Sequence, residues 1–576
     1  YDLSSLLTKG LSVHGSIAYD SYYYSRKKYS KTFPYYLARR DAEDPDYIYL
    51  IPQSEESIWS VSTGWDKNRK VYMEFGIDYN RTFGLHKTTA LILYNQSKYY
   101  SPSLQYYVPN AYQGLVGRLT YEYASRYLAE FNMGYNGTEN FAKGKRFGFF
   151  PAVSLGWVIS EEKFFPKNNI VKYLKVRGSY GEVGNDQIGG DRFLYLPSSY
   201  GAASDSGVNK YNFGLASNPY TSLMIVENKI GNPDLTWEKA KKMNVGVDIN
   251  LFNNCLTASF DIFKEKRNNI LANRSTSPMI IGANLPAYNF GEMENRGWEM
   301  DLNFRHHIQD FHYWARFNYS FARNEIIYMD EVQKRYDYQM TTGRRKNQFF
   351  GLIFDGYYNS WEEINALDRP KSSWSGNQLQ PGDVKYVDVN QDGVIDDYDM
   401  VPIGYTPVPE IIYGFSFGAQ YKGFDFSILF QGADNVSIKY FGRSMWPFAK
   451  GEESAKSLIK ERWTQERSEA GEKITFPRLS LNPNGETDHN YRPSTLWIRD
   501  ASYLRLKNLE VGYTFTGGFV KRLNLNSVRL YFNGSNLFTW TDVVDLDPEA
   551  PSRSGNVEIN TYPLQKVYNI GLNINF

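Results

Sequence analysis

Residues 243–252, MNVGVDINLF, alternate without a break. Met243, Val245, Val247, Ile249 and Leu251 fall on one side, and Asn244, Gly246, Asp248 and Asn250 on the other. Successive side chains of an extended chain point to opposite faces, so a period of two specifies a β-strand with one apolar and one polar face. The same alternation recurs in VYMEFGIDY (71–79), YLAEFNMGYN (127–136), LTASFDIF (256–263), YGFSFGAQY (413–421), FDFSILFQ (424–431), VRLYFNGSN (528–536) and YNIGLNINF (568–576). Roughly sixteen such segments run through the chain, with no amphipathic helical stretch of any length. LRLKNLEVGYTF (504–515) changes phase near Asn508, the mark of a bulge or a bend at a barrel rim.

The connections alternate as well. Phe252-Asn253-Asn254-Cys255 and Lys422-Gly423 read as tight turns, and His306-His307 also falls where a short turn is expected. The segments 183–235, 268–291, 326–408, 436–497 and 539–565 read as long loops. Short turns alternating with long loops are the rhythm of an antiparallel transmembrane β-barrel, with short periplasmic turns and long extracellular loops. A soluble β-sandwich or propeller is the competing architecture. Two features weigh against it: the polar face is dense in Gly, Asn, Asp and Ser, as a wet lumen requires, and the apolar face is rich in Phe and Tyr, as interfacial girdles require. The chain carries 48 Tyr, 36 Phe and 12 Trp. It ends on Phe576, which closes an alternating strand and is expected to act as an assembly signal.

At 576 residues the chain exceeds one ordinary globular core. No apolar run reaches the roughly 18 residues of a membrane-spanning helix. With 64 Lys+Arg against 63 Asp+Glu there is no basic surplus of the kind a nucleic-acid partner requires. The single cysteine, Cys255, excludes an intrachain disulfide and a cysteine-cluster metal site. The opening YDLSSLLTKGLSV lacks the charged-then-apolar order of a signal peptide.

Four groups of residues are candidates for chemistry. DVNQDGVIDDYD (388–399) has calcium-loop spacing, with Asp388, Asn390, Asp392, Asp396 and Asp399 as side-chain ligands, Val394 as a carbonyl ligand and Gly393 at the turn. Its flanks are not helical, so a metal-free turn built on Asx hydrogen bonds is the alternative. GFSFG (414–418) matches the hydrolase nucleophile elbow, but Ser416 lies inside an alternating strand and not in the strand–turn–helix setting which that motif needs. The six histidines show no metal-ligand spacing. Tyr358, Trp361, Trp446 and Phe448, in long loops, offer flat apolar faces for a sugar ring, a peptide or a lid protein.

Longer motifs carry a resemblance to a known family. PGDVKYVDVNQDGVIDDYDMVPIG (381–404), PEIIYGFSFGAQYKGFDFSILFQGA (409–433), ASYLRLKNLEVGYTF (501–515) and VRLYFNGSNLFTWTDVVDLDPE (528–549) resemble the C-terminal barrel of SusC/RagA-type TonB-dependent transporters. GLVGRLTYEYASRYLAEFNMGYNGTENF (114–141), FFPAVSLGWVISEEKFF (149–165), LKVRGSYGEVGND (174–186) and LTWEKAKKMNVGVDINLFNN (235–254) are similar to its middle, in the same order. The resemblance implies outer-membrane import of oligosaccharides or oligopeptides, a SusD-like lipoprotein lid, a plug drawn by TonB, no enzymatic activity and a Bacteroidetes-like outer membrane. A dimer of SusC–SusD pairs is among the assemblies it implies, and calcium is the one cofactor expected. A TonB-dependent siderophore or cobalamin receptor is the second reading, and a surface adhesin or a barrel enzyme the third. The family's plug and TonB-binding segment have no counterpart here. About sixteen strands also fall short of the roughly 22 of the large plugged barrels. The expectation is therefore the C-terminal part of a longer transporter.

Overall fold

The computed structural model describes residues 2–4, 7–40, 43–44, 46–187, 192–202, 210–215, 220–223, 225–276, 285–374, 379–441, 445–448, 457–480, 489–544, 546–549, 556–557 and 564–576. Sixteen long strands form one antiparallel sheet in sequence order. They are β1 (Leu11–Ser30), β2 (Ser60–Phe83), β3 (His86–Tyr100), β4 (Asn110–Tyr123), β5 (Tyr127–Thr138), β6 (Phe147–Val158), β7 (Val171–Asn185) and β8 (Glu238–Leu251). They continue with β9 (Leu256–Ala272), β10 (Tyr288–Ile308), β11 (Phe311–Tyr328), β12 (Ile411–Tyr421), β13 (Phe424–Asp434), β14 (Tyr503–Phe515), β15 (Ser527–Thr541) and β16 (Val567–Asn575). Each strand pairs with its neighbour in the chain, so a meander of hairpins accounts for the whole sheet. Among the described residues β1 and β16 stand at its two ends and do not pair with each other.

Register carries the apolar face across the sheet. Val247 of β8 lies opposite Val176 of β7 and Phe260 of β9, and Phe260 lies opposite Met300 of β10. Because one residue of slip would turn the whole set inward, this alternation pins the pairing. The tight turns follow local chemistry. Lys422 and Gly423 both take positive φ, 45° and 93°, the backbone of the two-residue turn that matches strand twist.

The expected bulge is present. Both ladders of β14 skip Lys507, pairing Leu506 with Phe430 and Phe538, and Asn508 with Leu429 and Ser535. The extra residue moves the apolar set from Leu504 and Leu506 to Leu509, Val511 and Tyr513 without leaving the outer face.

Two expectations need correction. His306 and His307 are not in a turn: they are paired residues of β10, opposite Tyr313 and His312, and the chain reverses at Gln309-Asp310. The loop expected at 268–291 is shorter, because pairing continues to Ala272 opposite Tyr288. Residues 31–59 also form a long connection at the same end, with a small hairpin of Tyr36–Arg40 and Ile48–Pro52. Among the described residues helix is confined to short turns such as Trp361–Ile364, Gln465–Glu469 and Gly518–Arg522.

The long loops have a core of their own. Leu352, Val384, Ile395, Trp446, Trp463, Phe476, Tyr491 and Trp497 pack together, joining segment 329–410 to segment 435–502. Ser437–Tyr440 pairs with Ile498–Asp500 on one side and Asn556–Val557 on the other, which ties a third loop to the same body.

Candidate functional site: a polar lumen wall beneath folded loops

The face opposite the apolar one is lined by charge held in pairs. Arg177 of β7, Gly246 of β8 and Asp261 of β9 are directly opposite one another across three strands. The Arg177 guanidinium crosses β8 to donate twice to Asp261, at 2.6 and 2.7 Å, and also donates from Nε to Asp248 Oδ2 at 3.1 Å. It passes directly over Gly246, where a Cβ would lie 2.6 Å from Asp261 Oδ1 and 2.7 Å from the guanidinium. The glycine thus opens the path of the ion pair.

The same device recurs. Arg529 of β15 reaches over Gly512 of β14 to Asp425 of β13, with Nε–Oδ1 at 3.0 Å, and also bonds Glu510. Arg118 of β4 donates to Glu130 of β5 at 2.9 Å, and Asn132 donates to the same oxygen. A recess of about 400 Å³ opens on this face between β3 and β8, lined by Lys87, Glu122, Glu130, Lys175, Arg177 and Asn244 among others. Charges of both signs in bidentate or near-bidentate pairs leave a wall that is hydrophilic without a strong field of one sign.

At the rim, Arg505 lies at the inner side of β14 with its side chain 2% exposed. It donates to Asp547 at 2.8 Å and to Thr539 at 2.9 Å, and pairs with Glu549. Glu549 also accepts from Tyr503 at 2.7 Å, and Lys507, set free by the bulge, approaches it at 3.4 Å. Above the rim, Asp383 holds two segments of the loop body together: it accepts from Arg478 at 2.6 Å and from Asn490 at 2.8 Å.

The aromatic candidates divide. Trp361 begins a helical turn capped by Ser360 and is 50% exposed, so it can present a face to a ligand. Trp446 is 3% exposed and packs on Phe441 and Tyr491, and Tyr358 is 7% exposed against Ile364 and Leu379. This corrects the expectation for Trp446 and Tyr358: their rings are spent on loop cores. Phe448 is half-buried, and Phe576 follows β16 with most of its ring exposed.

In the 388–399 loop the side-chain oxygens turn toward the loop's own N–H groups. Asp388 accepts from Gly393 at 2.8 Å, Asn390 from Asp392 at 2.9 Å, Asp392 from Val394 at 3.0 Å and Asp396 from Tyr398 at 2.7 Å. Asp399 is fully buried and accepts from Val389 at 2.8 Å and Asp396 at 2.9 Å; burial pushes its carboxyl up despite these donors. One oxygen, Asp388 Oδ1, is buried without a hydrogen-bond partner, the place where a cation would fit. Among the described residues no three His, Cys, Asp or Glu side chains converge as a preformed metal cage. The residues therefore fit a cation in part, through Asp388, and in part serve as an Asx-turn scaffold. Val394–Ile395 pairs in parallel with Lys371–Ser372, which anchors the loop within its segment.

Ser416 sits mid-strand in β12, opposite Arg316 and Leu429; the strand runs on to Tyr421 and turns into β13, not into a helix. That removes the geometry of a nucleophile elbow.

Sequence reasoning did not single out Arg177, Asp248, Asp261, Arg529, Asp425 or Arg505. Their one visible signal was charge on the polar phase of an apolar-alternating strand, and their partners depend on register.

Comparison with known proteins agrees with this architecture. The family model described as TonB dependent receptor-like, beta-barrel matches residues 1–537. TonB-dependent receptor P3 of Formosa agariphila is 29% identical over 479 residues, covering 80% of this chain and 45% of the relative. TonB-dependent receptor SusC of Bacteroides thetaiotaomicron is 28% identical over 477 residues, covering 82% and 44%. The chain spans about half the length of these curated relatives. Among solved structures, the RagAB peptide importer in its open-open state superposes with a TM-score of 0.72 at 20% identity, covering 99% of this chain and 59% of that one. Sixteen strands in meander order, an apolar outer face, a paired-charge lumen and a family match over nearly the whole length place the chain in the outer membrane, and it belongs to the TonB-dependent receptor β-barrel family.

Proposed function

We propose that this chain forms most of the wall of an outer-membrane passage for oligopeptides or oligosaccharides. In this reading it works beneath a SusD-like lipoprotein lid and is driven through TonB. The observation that supports it best is a continuous hydrophilic face beneath a folded loop body, with charges of both signs paired along it. Such a wall passes polar, zwitterionic or uncharged oligomers without trapping one charge sign. The free edges of β1 and β16 take up the remaining strands of a longer polypeptide, since an open sheet edge in lipid leaves backbone groups unpaired. The likeness to a peptide importer favours peptides as the first substrate class to test.

The test is uptake by cells that make the intact transporter. Deleting its gene, the lid gene or TonB is expected to abolish growth on either mixed oligopeptides or oligosaccharides as sole nutrient, with the other unaffected. Unchanged growth on both substrates in all three deletions would contradict the reading, as would release of hydrolysis products by the purified protein.

Calcium at loop 388–399 is the secondary proposal, carried by the unpartnered Asp388 Oδ1. An extracellular loop of this kind binds in the range of about 10⁻⁴–10⁻³ M. Millimolar calcium should slow protease cleavage between 388 and 399 in the wild type and not in Asp388→Ala. Equal cleavage with calcium and with chelator identifies the loop as a metal-free scaffold.

A further inference from the structure

The outer face changes character along a registered line near its long-loop end. On β2 the apolar side chains run Tyr79, Ile77, Phe75, Met73 and Val71, and the next two on that face are Arg69 and Lys67. Eight residue steps from Tyr79 to Val71 rise about 26 Å along the strand, or about 20 Å of membrane height at a tilt of about 40°. Arg69 and Lys67 therefore stand at headgroup level in the leaflet facing the long loops. Lys98 of β3, opposite Val71, joins them.

Aromatic rings are interleaved with these cations. Lys67 lies 5.2 Å from the Trp65 ring, and Arg69 and Lys98 lie 4.6 and 5.4 Å from the Tyr100 ring. Tyr23, directly opposite Lys67, is 71% exposed. Among the described residues, none of the three cations has a carboxylate within ion-pair distance. On the same face of β7–β11, beyond the apolar run of each strand, the cations are neutralised in place: Lys241 by Glu182, Lys264 by Glu294 and Arg296 by Glu325. Glu139 is taken by Arg192 at 2.6 Å. A groove of about 590 Å³ opens beside Lys98 on this side of the wall, with Val71, Met73 and Phe147 on its apolar side and Gln96, Gln113, Arg146 and the Arg192-paired Glu139 on its polar side.

We propose that this groove, with Lys98 in its lining and Arg69 and Lys67 on the same face of the neighbouring strand, binds a phosphorylated glycolipid of the outer leaflet. Acyl chains lie along Val71, Met73 and Phe147, phosphate is held by Arg69, Lys67 and Lys98, and sugar rings rest against Tyr100 and Trp65. Unneutralised cations directly above an apolar band match an anion at the top of a hydrocarbon chain. The flat rings beside them match a sugar better than a glycerol headgroup.

The test uses the intact transporter, exchanged into mild detergent and titrated with phosphorylated lipid A, the same lipid after enzymatic dephosphorylation, phosphatidylglycerol, and inorganic phosphate as competitor, with bound lipid read by native mass spectrometry. Wild type should retain phosphorylated lipid A at least about tenfold better than either other lipid. The triple variant Lys67→Gln/Arg69→Gln/Lys98→Gln should lose that preference, whereas Lys241→Gln/Lys264→Gln should keep it. The three lipids compared on the wild type alone keep the proposal testable if the triple variant fails to assemble. Equal retention of the dephosphorylated lipid, equal retention of phosphatidylglycerol, or displacement by millimolar inorganic phosphate each overturns it.

Discussion

Replacing Arg505 with alanine is expected to destabilise the rim by about 3–5 kcal/mol, the cost of removing one partner from a buried charge cluster. Its side chain is 2% exposed, and two carboxylates, Asp547 and Glu549, converge on it. Truncation leaves both acids mostly buried, at 12% and 21% side-chain exposure, with Lys507 at 3.4 Å and the Tyr503 and Gln431 donors to offset Glu549. Loop 542–549 should detach, seen as new protease sensitivity there while the barrel keeps its heat-resistant mobility on a gel. Adding Asp547→Asn and Glu549→Gln to Arg505→Ala should recover part of the loss, because the uncompensated charge is then gone. No recovery in that triple variant would show that packing, and not charge, makes the site sensitive.

Trp497→Ala is expected to have an effect of similar size, about 3–5 kcal/mol, for a different reason: it empties the centre of the loop body. Trp497 is 2% exposed, stacks on Tyr491 with centroids 5.3 Å apart, meets Phe476 edge-on at 5.4 Å, and donates from its indole to the Asn490 carbonyl at 2.8 Å. Segments 329–410 and 435–502 are joined by this core and by hydrogen bonds around it, including Arg478 and Asn490 to Asp383, so emptying the core loosens both together. Hydrogen exchange should rise in both segments together and stay unchanged in β8–β11. Trp361→Ala, at a half-exposed ring, should leave exchange unaltered and change only ligand capture.

The outer-membrane fold was legible because a strand's period of two is local. MNVGVDINLF states its two faces whatever it pairs with, and LRLKNLEVGYTF announced the bulge at Lys507 through its change of phase. The loop body was not legible, since its order comes from contacts distant in sequence. Trp446 and Trp361 read alike as loop aromatics, yet one is buried by Tyr491, forty-five residues away, and the other begins a helical turn and stands half-exposed. The Arg177–Asp261 crossing was hidden for the same reason. Gly246 reads as a small residue on a polar face until register sets it directly between the two partners. His306 and His307 were misplaced because the strand continues to Ile308 through polar residues beyond its apolar pattern.

The central claim is that the apolar phase of each strand faces lipid and the polar phase faces a lumen. Single cysteines placed along β8 in the intact transporter, with Cys255 replaced by serine, test it most directly. A water-soluble maleimide should label Asn244→Cys and Asn250→Cys, and bromine-bearing lipid chains should quench a fluorophore attached at Val245, Val247 or Ile249 but not at the other two positions. Labelling and quenching without alternation, or with the two phases exchanged, would contradict the claim.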